Sequence, residues 1–208
     1  MSIFELPSKA SWPFGITTGH DGCLWFAEMM ADRIGRITID GEIEEYDLPV
    51  KGGYPSCIVA GRDELMWFTL NQAGAIGSIS AAAKPQIYPL SAADVAPVGI
   101  TSDSRGALWI AQIGNGAIAR FAVDGDITEF PLENREVKPH GIVADSSGGV
   151  WFTEWGGNRI CRISDEGELE GYELPSPASE PHGIVIDHNG CVWAALEMGK
   201  LVRIQTYR

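Results

Sequence analysis

The sequence contains no long hydrophobic run, and none of its 208 residues belongs to a stretch of the roughly 20 apolar residues that a membrane helix requires. The N-terminus, MSIFELPSKA, also lacks the basic flank and long apolar core of a signal peptide. We therefore expect a cytoplasmic protein. An excess of positive charge is missing too, since the formal net charge is −13. An acidic surface does not attract nucleic acid or anionic membranes, so we expect neither as a partner.

Paired metal-binding cysteines are absent as well. The four cysteines, Cys23, Cys57, Cys161 and Cys191, form no CxxC pair and have no histidine at zinc-finger spacing, so we interpret them as small buried thiols. The sequence shows no helical period of 3.6 residues and no GxSxG motif, the nucleophile elbow of many ester hydrolases. These absences argue against a zinc finger, a helical bundle and a serine hydrolase of that type.

The sequence does contain a regular repeat. Prolines that open a PxxI motif recur every 42 residues, at Pro13, Pro55, Pro97, Pro139 and Pro181. Tryptophans keep the same step, at Trp25, Trp67, Trp109, Trp151 and Trp193. Several independent columns with one period indicate an array of a single structural unit.

Each unit contains four short runs that are typical of β-strands. In the fourth unit they are HGIVAD, GVWFTE, RICRIS and ELEGYEL, rich in β-branched and aromatic residues and separated by turn residues. Asp-Gly pairs in IDGE (39–42) and VDGD (123–126) indicate tight hairpins. Four antiparallel strands in about 40 residues are the signature of a β-propeller blade.

The two ends of the chain predict a closed ring. IFELP (3–7) matches the fourth strand of a unit, EEYDLP (44–49), with Phe4 in the column of Tyr46, while the last unit ends after its third strand, LVRI (201–204). We therefore predict an all-β fold, a single domain over residues 1–208. It is a five-bladed β-propeller of four-stranded, 42-residue blades in which the N-terminal strand completes the last blade and removes a free sheet edge.

Some columns diverge between the units. The residue after each repeat proline is Phe14, Ser56, Val98, His140 or His182, and the loop after each second strand carries Met29, Asn71, Ile113, Trp155 or Glu197. In an up-and-down blade these positions open on one face of the ring. A repeat needs the same residue where its role is structural, so divergence marks positions that are available for function.

The polar residues of these columns lie in the last two units. Glu180, His182 and Glu197 are expected to converge there, with His140 and Trp155 beside them. Two carboxylates suit Mg²⁺, which takes few protein ligands, and an adjacent neutral imidazole could act as a base. The alternative is that both histidines only bind backbone groups and that the glutamates are solvated. Glu28 and Glu154, which share a column with Gln112, are interpreted as rim carboxylates or as hydrogen-bonding groups between blades.

The motifs GYPSCIVAGRDELMWFT, PHGIVADSSGGVWFTEWGGNRICRI and EPHGI…VWAALE resemble the virginiamycin B lyase (streptogramin B lyase) family along essentially the whole chain. The resemblance implies a monomeric carbon–oxygen lyase that depends on Mg²⁺. Such an enzyme linearises cyclic type B streptogramins, small depsipeptides, by elimination at the ester linkage and so confers antibiotic resistance. It further implies that His182 is the general base, that Glu180 and Glu197 bind Mg²⁺, and that His140 and Trp155 contact the substrate.

The chain differs from the family pattern in the number of repeats, with five instead of seven. Phe14 takes the place of a substrate-facing tyrosine of the family, without its hydroxyl. Two other functions stay open: a propeller that binds ligands through an idle lyase site, and a lactonase-like hydrolase. The required Asn and Asp of the lactonase metal site are missing from the axial column, so the residues favour the lyase.

Overall fold

The structure is a computed structural model that describes residues 1–206. Within these residues, nineteen strands form five antiparallel sheets, and one short 3-10 helix covers Arg135–Val137. The chain divides into two compact units, Met1–Pro97 and the part from Val98 onward. The predicted all-β class is therefore confirmed, whereas the predicted single domain stays a prediction.

The first unit contains two four-stranded sheets in which each strand pairs with the next along the chain. The first sheet consists of β1 (Pro13–Thr18), β2 (Leu24–Glu28), β3 (Arg33–Ile37) and β4 (Ile43–Asp47). The second sheet consists of β5 (Pro55–Ala60), β6 (Met66–Leu70), β7 (Ala75–Ser80) and β8 (Ala83–Pro89).

The second unit contains three sheets of the same topology. The third sheet, whose first strand starts at the unit boundary, has β9 (Pro97–Ser102), β10 (Leu108–Gln112), β11 (Ala117–Phe121) and β12 (Ile127–Pro131). The fourth has β13 (Pro139–Ala144), β14 (Val150–Glu154), β15 (Arg159–Ile163) and β16 (Leu169–Glu173). The fifth has β17 (Pro181–Ile186), β18 (Val192–Leu196) and β19 (Lys200–Ile204).

The repeated tryptophans explain why the five sheets fold alike. Four of them pack against the aromatic residue of the fourth strand, with ring centroids 5.2–5.7 Å apart: Trp25–Tyr46, Trp67–Tyr88, Trp109–Phe130 and Trp151–Tyr172. In four sheets the indole N–H also donates to an aspartate of the preceding turn, as Trp109 does to Asp103 at 3.1 Å. These pairs bury a large apolar ring while its polar atom stays satisfied.

The predicted closure of a ring by the N-terminal strand is not confirmed. Residues 3–7 form no strand, and among residues 1–206 the fifth sheet has only three. The N-terminal segment contacts the first sheet instead. The Phe4 ring lies against Gly41, and Ser8 donates from its backbone N–H and its hydroxyl to Glu45, at 2.9 and 2.6 Å. The shared aromatic column did not determine which sheet the N-terminal segment contacts. The contacts of Ser8 and Phe4 with the first sheet determine it.

The sequence predicts that the four cysteines are small buried thiols. All four cysteines are free thiols; Cys23 and Cys161 are buried, while Cys57 and Cys191 are partly exposed. Among residues 1–206, no helix is long and apolar enough to span a membrane.

Glu28 and Glu154 end the second strand in two different sheets, and both side chains are fully buried. Glu154 forms a two-point ion pair with Arg159, with N–O distances of 2.7 and 3.1 Å. The corresponding Arg33 pairs with Glu45 and Asp47 instead and also contacts Ser8.

Both Glu28 oxygens lack a well-aligned hydrogen bond. Burial and the negative charge of Glu45 raise the pKa of Glu28, although Ser11 and Arg33 oppose this shift.

We expect the same substitution to have different effects on stability at these two positions. Glu154→Gln should lower the free energy of unfolding by about 1.5–3 kcal/mol, because it breaks a charged hydrogen-bonded pair. Glu28→Gln should leave it unchanged or raise it. Because the folded state raises the pKa of Glu28, ionisation opposes folding above the ordinary glutamate value, so any gain should grow as pH rises above about 4.3.

Urea unfolding of the three proteins at pH 4 and pH 7 measures both effects. An equal loss of stability in the two variants at pH 7 would show that Glu28 is paired in solution, contrary to the structure.

Candidate functional site

The candidate site begins at one end of the fifth sheet, where two glutamates flank the first strand pair. Pro181 of β17 lies opposite Leu196 of β18, and one residue beyond this pair the Glu197 N–H donates to the Glu180 carbonyl at 3.2 Å. Glu180 has a left-handed backbone with φ 47°, which turns the chain into β17. The backbone therefore places the two glutamates opposite each other.

The two carboxyl groups interact directly. A hydrogen bond between their side chains is the main cause that raises the pKa of Glu180 and lowers that of Glu197, and the charge of His182 lowers both. Two adjacent negative charges repel, and a cation between them relieves that repulsion.

His182 projects from β17 next to this pair. Its Nε2 lies 2.5 Å from Glu197 Oε1, although the contact lacks the alignment of an ordinary hydrogen bond. The side chain is 38% exposed, although Nε2 itself is buried. The structure thus places Nε2 against the Glu197 carboxylate and leaves another part of the side chain open to solvent, and an imidazole so placed can act as a proton acceptor.

The fourth sheet supplies two more side chains. The ring of His140 lies 4.3 Å from that of His182, and the Trp155 ring lies 6.1 Å from it in an edge-on orientation. Burial, together with the charge of His182, lowers the pKa of His140 to about 4, whereas Glu197 opposes this shift. His140 is therefore neutral near pH 7 and can donate or accept a hydrogen bond.

Lys138 is a site residue that the sequence reasoning did not select. It occupies the column of Glu180, has a left-handed backbone with φ 51°, and accepts a 3.1 Å hydrogen bond from the Trp155 N–H. Its Nζ lies 5.1 Å from the centroid of the Trp155 ring, a cation–π contact. The sequence feature that could have identified Lys138 is its position in a divergent column of the repeat, two residues before His140.

The donor set is suitable for Mg²⁺. Within residues 1–206, no group of three or more His, Cys, Asp or Glu side chains is arranged to hold a metal ion. Mg²⁺ needs only one or two protein carboxylates and keeps several waters, so Glu180 and Glu197 fit this ion better than Zn²⁺, which takes three or four protein ligands. The backbone hydrogen bond from Glu197 to Glu180 places the two residues opposite each other.

Five of the six predicted site residues come together in the second unit: His182, Glu180, Glu197, His140 and Trp155. Phe14 lies on β1 in the first unit and is 55% exposed, so its role in substrate binding stays a prediction. The roles of the other five are likewise taken up below as a proposal.

The repeated antiparallel meander is consistent with a β-propeller, and the candidate site lies at the strand ends of two of its sheets. The model of the virginiamycin B lyase family matches residues 1–204. The chain belongs to the virginiamycin B lyase family.

Solved structures of lyases are similar to this chain. Virginiamycin B lyase from Staphylococcus aureus is 42% identical over 95% of this chain and 67% of its own, with a TM-score of 0.91. A streptogramin B lyase is 44% identical over 97% of this chain and 68% of its own, also with a TM-score of 0.91. A catalytically inactive histidine-to-alanine variant of the S. aureus enzyme, solved with quinupristin, is 42% identical over 95% of this chain and 67% of its own, with a TM-score of 0.92.

The fourth and fifth sheets approach each other closely beside the site. A Cβ atom on Gly141 would overlap the carbonyl oxygen of His182. Gly183, in the same column of the next sheet, has no heavy atom of the described residues within 4 Å of such a Cβ, its chain neighbours aside. Glycine is therefore required at 141 for close packing, whereas position 183 has space.

We expect Gly141→Ala to lower the free energy of unfolding by about 1–3 kcal/mol, because a backbone carbonyl cannot move aside easily. Gly183→Ala is the matched control and should change it by less than about 1 kcal/mol, with stabilisation expected from the stiffer unfolded chain. Thermal and urea unfolding of both variants measure the difference. Equal losses would contradict the packing described for the two glycines.

Proposed function

We propose that this protein is a Mg²⁺-dependent carbon–oxygen lyase that opens cyclic type B streptogramins at their ester linkage and so gives resistance to these antibiotics. The observation that carries the proposal is the cluster of His182 with Glu180 and Glu197. It joins a proton acceptor to a carboxylate pair of the kind that binds a divalent cation. Two findings on relatives support it: they are virginiamycin and streptogramin B lyases, and one inactive variant was solved with quinupristin.

In this proposal His182 removes the proton on the carbon next to a substrate carbonyl. The electron pair of that C–H bond forms a carbon–carbon double bond, and the ester C–O bond at the next carbon breaks. The leaving group departs as a carboxylate, so atoms balance without water. His140 and Trp155, both within about 6 Å of the His182 ring by centroid distance, hold and shield the substrate. The indole ring offers an apolar surface to a large depsipeptide.

The carboxylates of Glu180 and Glu197 would hold the ion. A bound Mg²⁺ supplies positive charge that stabilises negative charge developing on the substrate carbonyl oxygen. The protein contributes the placement of both carboxylates by the turn at Glu180 and the Glu197–Glu180 backbone bond.

Incubation with quinupristin distinguishes the possible reactions. In the presence of Mg²⁺ we expect a linear product of unchanged mass with a new chromatographic retention, and we expect no product in EDTA. Mass spectrometry measures the outcome directly. A product heavier by one water would show hydrolysis, as for a lactonase, and would contradict the lyase proposal.

His182→Ala tests the assigned base. We expect a fall in kcat of about 100- to 10,000-fold, the usual contribution of a general base. His188→Ala is the matched control, because His188 lies beyond the opposite end of β17. Full activity of folded His182→Ala would overturn the assignment. Binding of quinupristin without any turnover by the native chain would support the non-catalytic alternative.

A further inference from the structure

One position of the repeat, near the end of the second strand of each sheet, is occupied by two kinds of residue. The next-to-last residue of the second strand is alanine in three sheets and threonine in two: Ala27, Thr69, Ala111, Thr153 and Ala195. Thr153 is fully buried. Since alanine is compatible with this strand position in three sheets, the buried hydroxyl of Thr153 is not required by the strand itself. It needs another explanation, because a buried hydroxyl is costly unless it is hydrogen-bonded.

The Thr153 hydroxyl joins the fourth sheet to His182. It accepts a 2.8 Å hydrogen bond from the Gly141 N–H and donates a 2.9 Å bond to the carbonyl of His182. The register of β13 shifts between Pro139 and Ile142, which indicates a bulge that takes Gly141 out of the regular ladder. The hydroxyl therefore satisfies one backbone donor and one backbone acceptor and spans two sheets.

The fifth sheet has no equivalent group of its own. β17 shows the same register shift, between Pro181 and Ile184, but the residue in the column of Thr153 is Ala195, which has no hydroxyl. The carbonyl of His182 is instead held from the fourth sheet, between the Thr153 hydroxyl and the bare Cα of Gly141. The Thr153 hydroxyl thus contacts the backbone from which the His182 imidazole projects.

We propose that Thr153 is a positioning residue: its hydroxyl fixes the His182 peptide so that the imidazole stands against Glu197 and His140. As far as catalysis is concerned, this inference rests on the proposed function, because it assumes that His182 is the base. The orientation of the imidazole is a property of the folded chain and can be measured without turnover.

The test compares three substitutions. Thr153→Val keeps the shape and removes the hydroxyl, and Thr153→Ser restores it. Thr69→Val is the matched control, because Thr69 accepts a 3.1 Å hydrogen bond from the Cys57 N–H at the same position of the second sheet, which carries none of the predicted site residues. Thr153→Ala, with the residue that three other sheets use, replaces the valine variant if that one does not fold.

Nitrogen-15 NMR of labelled histidine gives the first readout. The chain has four histidines, and the signals of His182 are assigned by their loss in His182→Gln. We expect Thr153→Val to shift or broaden the His182 imidazole signals, and we expect Thr153→Ser and Thr69→Val to leave them unchanged. Unchanged signals in Thr153→Val, or the same change in Thr153→Ser, would overturn the proposal.

Kinetics with quinupristin gives the second readout. We expect Thr153→Val to lower kcat about 10- to 100-fold with little change in KM, since displacement of a catalytic group by about 1 Å costs up to about 100-fold. Thr153→Ser and Thr69→Val should retain the native kcat. If the native protein itself has no turnover, the proposed function fails, while the NMR result still decides the role of Thr153. A normal kcat in Thr153→Val would contradict the positioning role.

Discussion

The candidate site depends on one backbone hydrogen bond that the sheets repeat. In four sheets, the residue after the second strand donates its N–H to the residue before the proline of the first strand, at 3.1–3.2 Å: Met29 to Trp12, Asn71 to Tyr54, Trp155 to Lys138, and Glu197 to Glu180. The acceptor residue has a left-handed backbone in each case, with φ of 47–54°. For a residue other than glycine this conformation costs about 1–2 kcal/mol, so the surrounding bond and proline must hold it.

This constraint acts on the backbone and leaves the side chains free to differ between the sheets. The bond uses only main-chain atoms, so the two residues that it joins are free to vary without loss of the turn. The first two sheets carry an aromatic residue before the proline, Trp12 and Tyr54, whereas the fifth carries a glutamate at both positions. A repeated turn thus becomes a carboxylate pair through two side-chain changes. A cation between the two carboxylates would relieve the repulsion of their charges.

Much of the fold was predictable because it comes from local and periodic features. The 42-residue step, the runs of β-branched residues and the Trp column predicted each four-stranded sheet. The divergent columns identified five residues that the structure brings together. These predictions succeeded because the residues concerned lie at fixed positions of a repeating unit, in two consecutive sheets.

Contacts between distant segments were not predictable in this way. Glu28 and Glu154 occupy the same column, yet Arg159 pairs with Glu154 while Arg33 is drawn to Glu45 and Asp47. The N-terminal segment likewise lies against the first sheet through Ser8 and Phe4. The Thr153 hydroxyl acts on a carbonyl of the next sheet. Each case depends on which partner a side chain contacts, and a comparison of columns does not identify that partner.

The central claim is that Glu180 and Glu197 hold a divalent cation within reach of His182. Paramagnetic Mn²⁺, which also binds carboxylates, tests it most directly when it is titrated into nitrogen-15 histidine-labelled protein. The account predicts that small amounts of Mn²⁺ selectively broaden the imidazole signals of His182 and His140. His188, about 20 Å away along β17, should stay sharp, and Glu180→Gln combined with Glu197→Gln should abolish the effect. Equal broadening of all histidines, or none at all, would contradict the account.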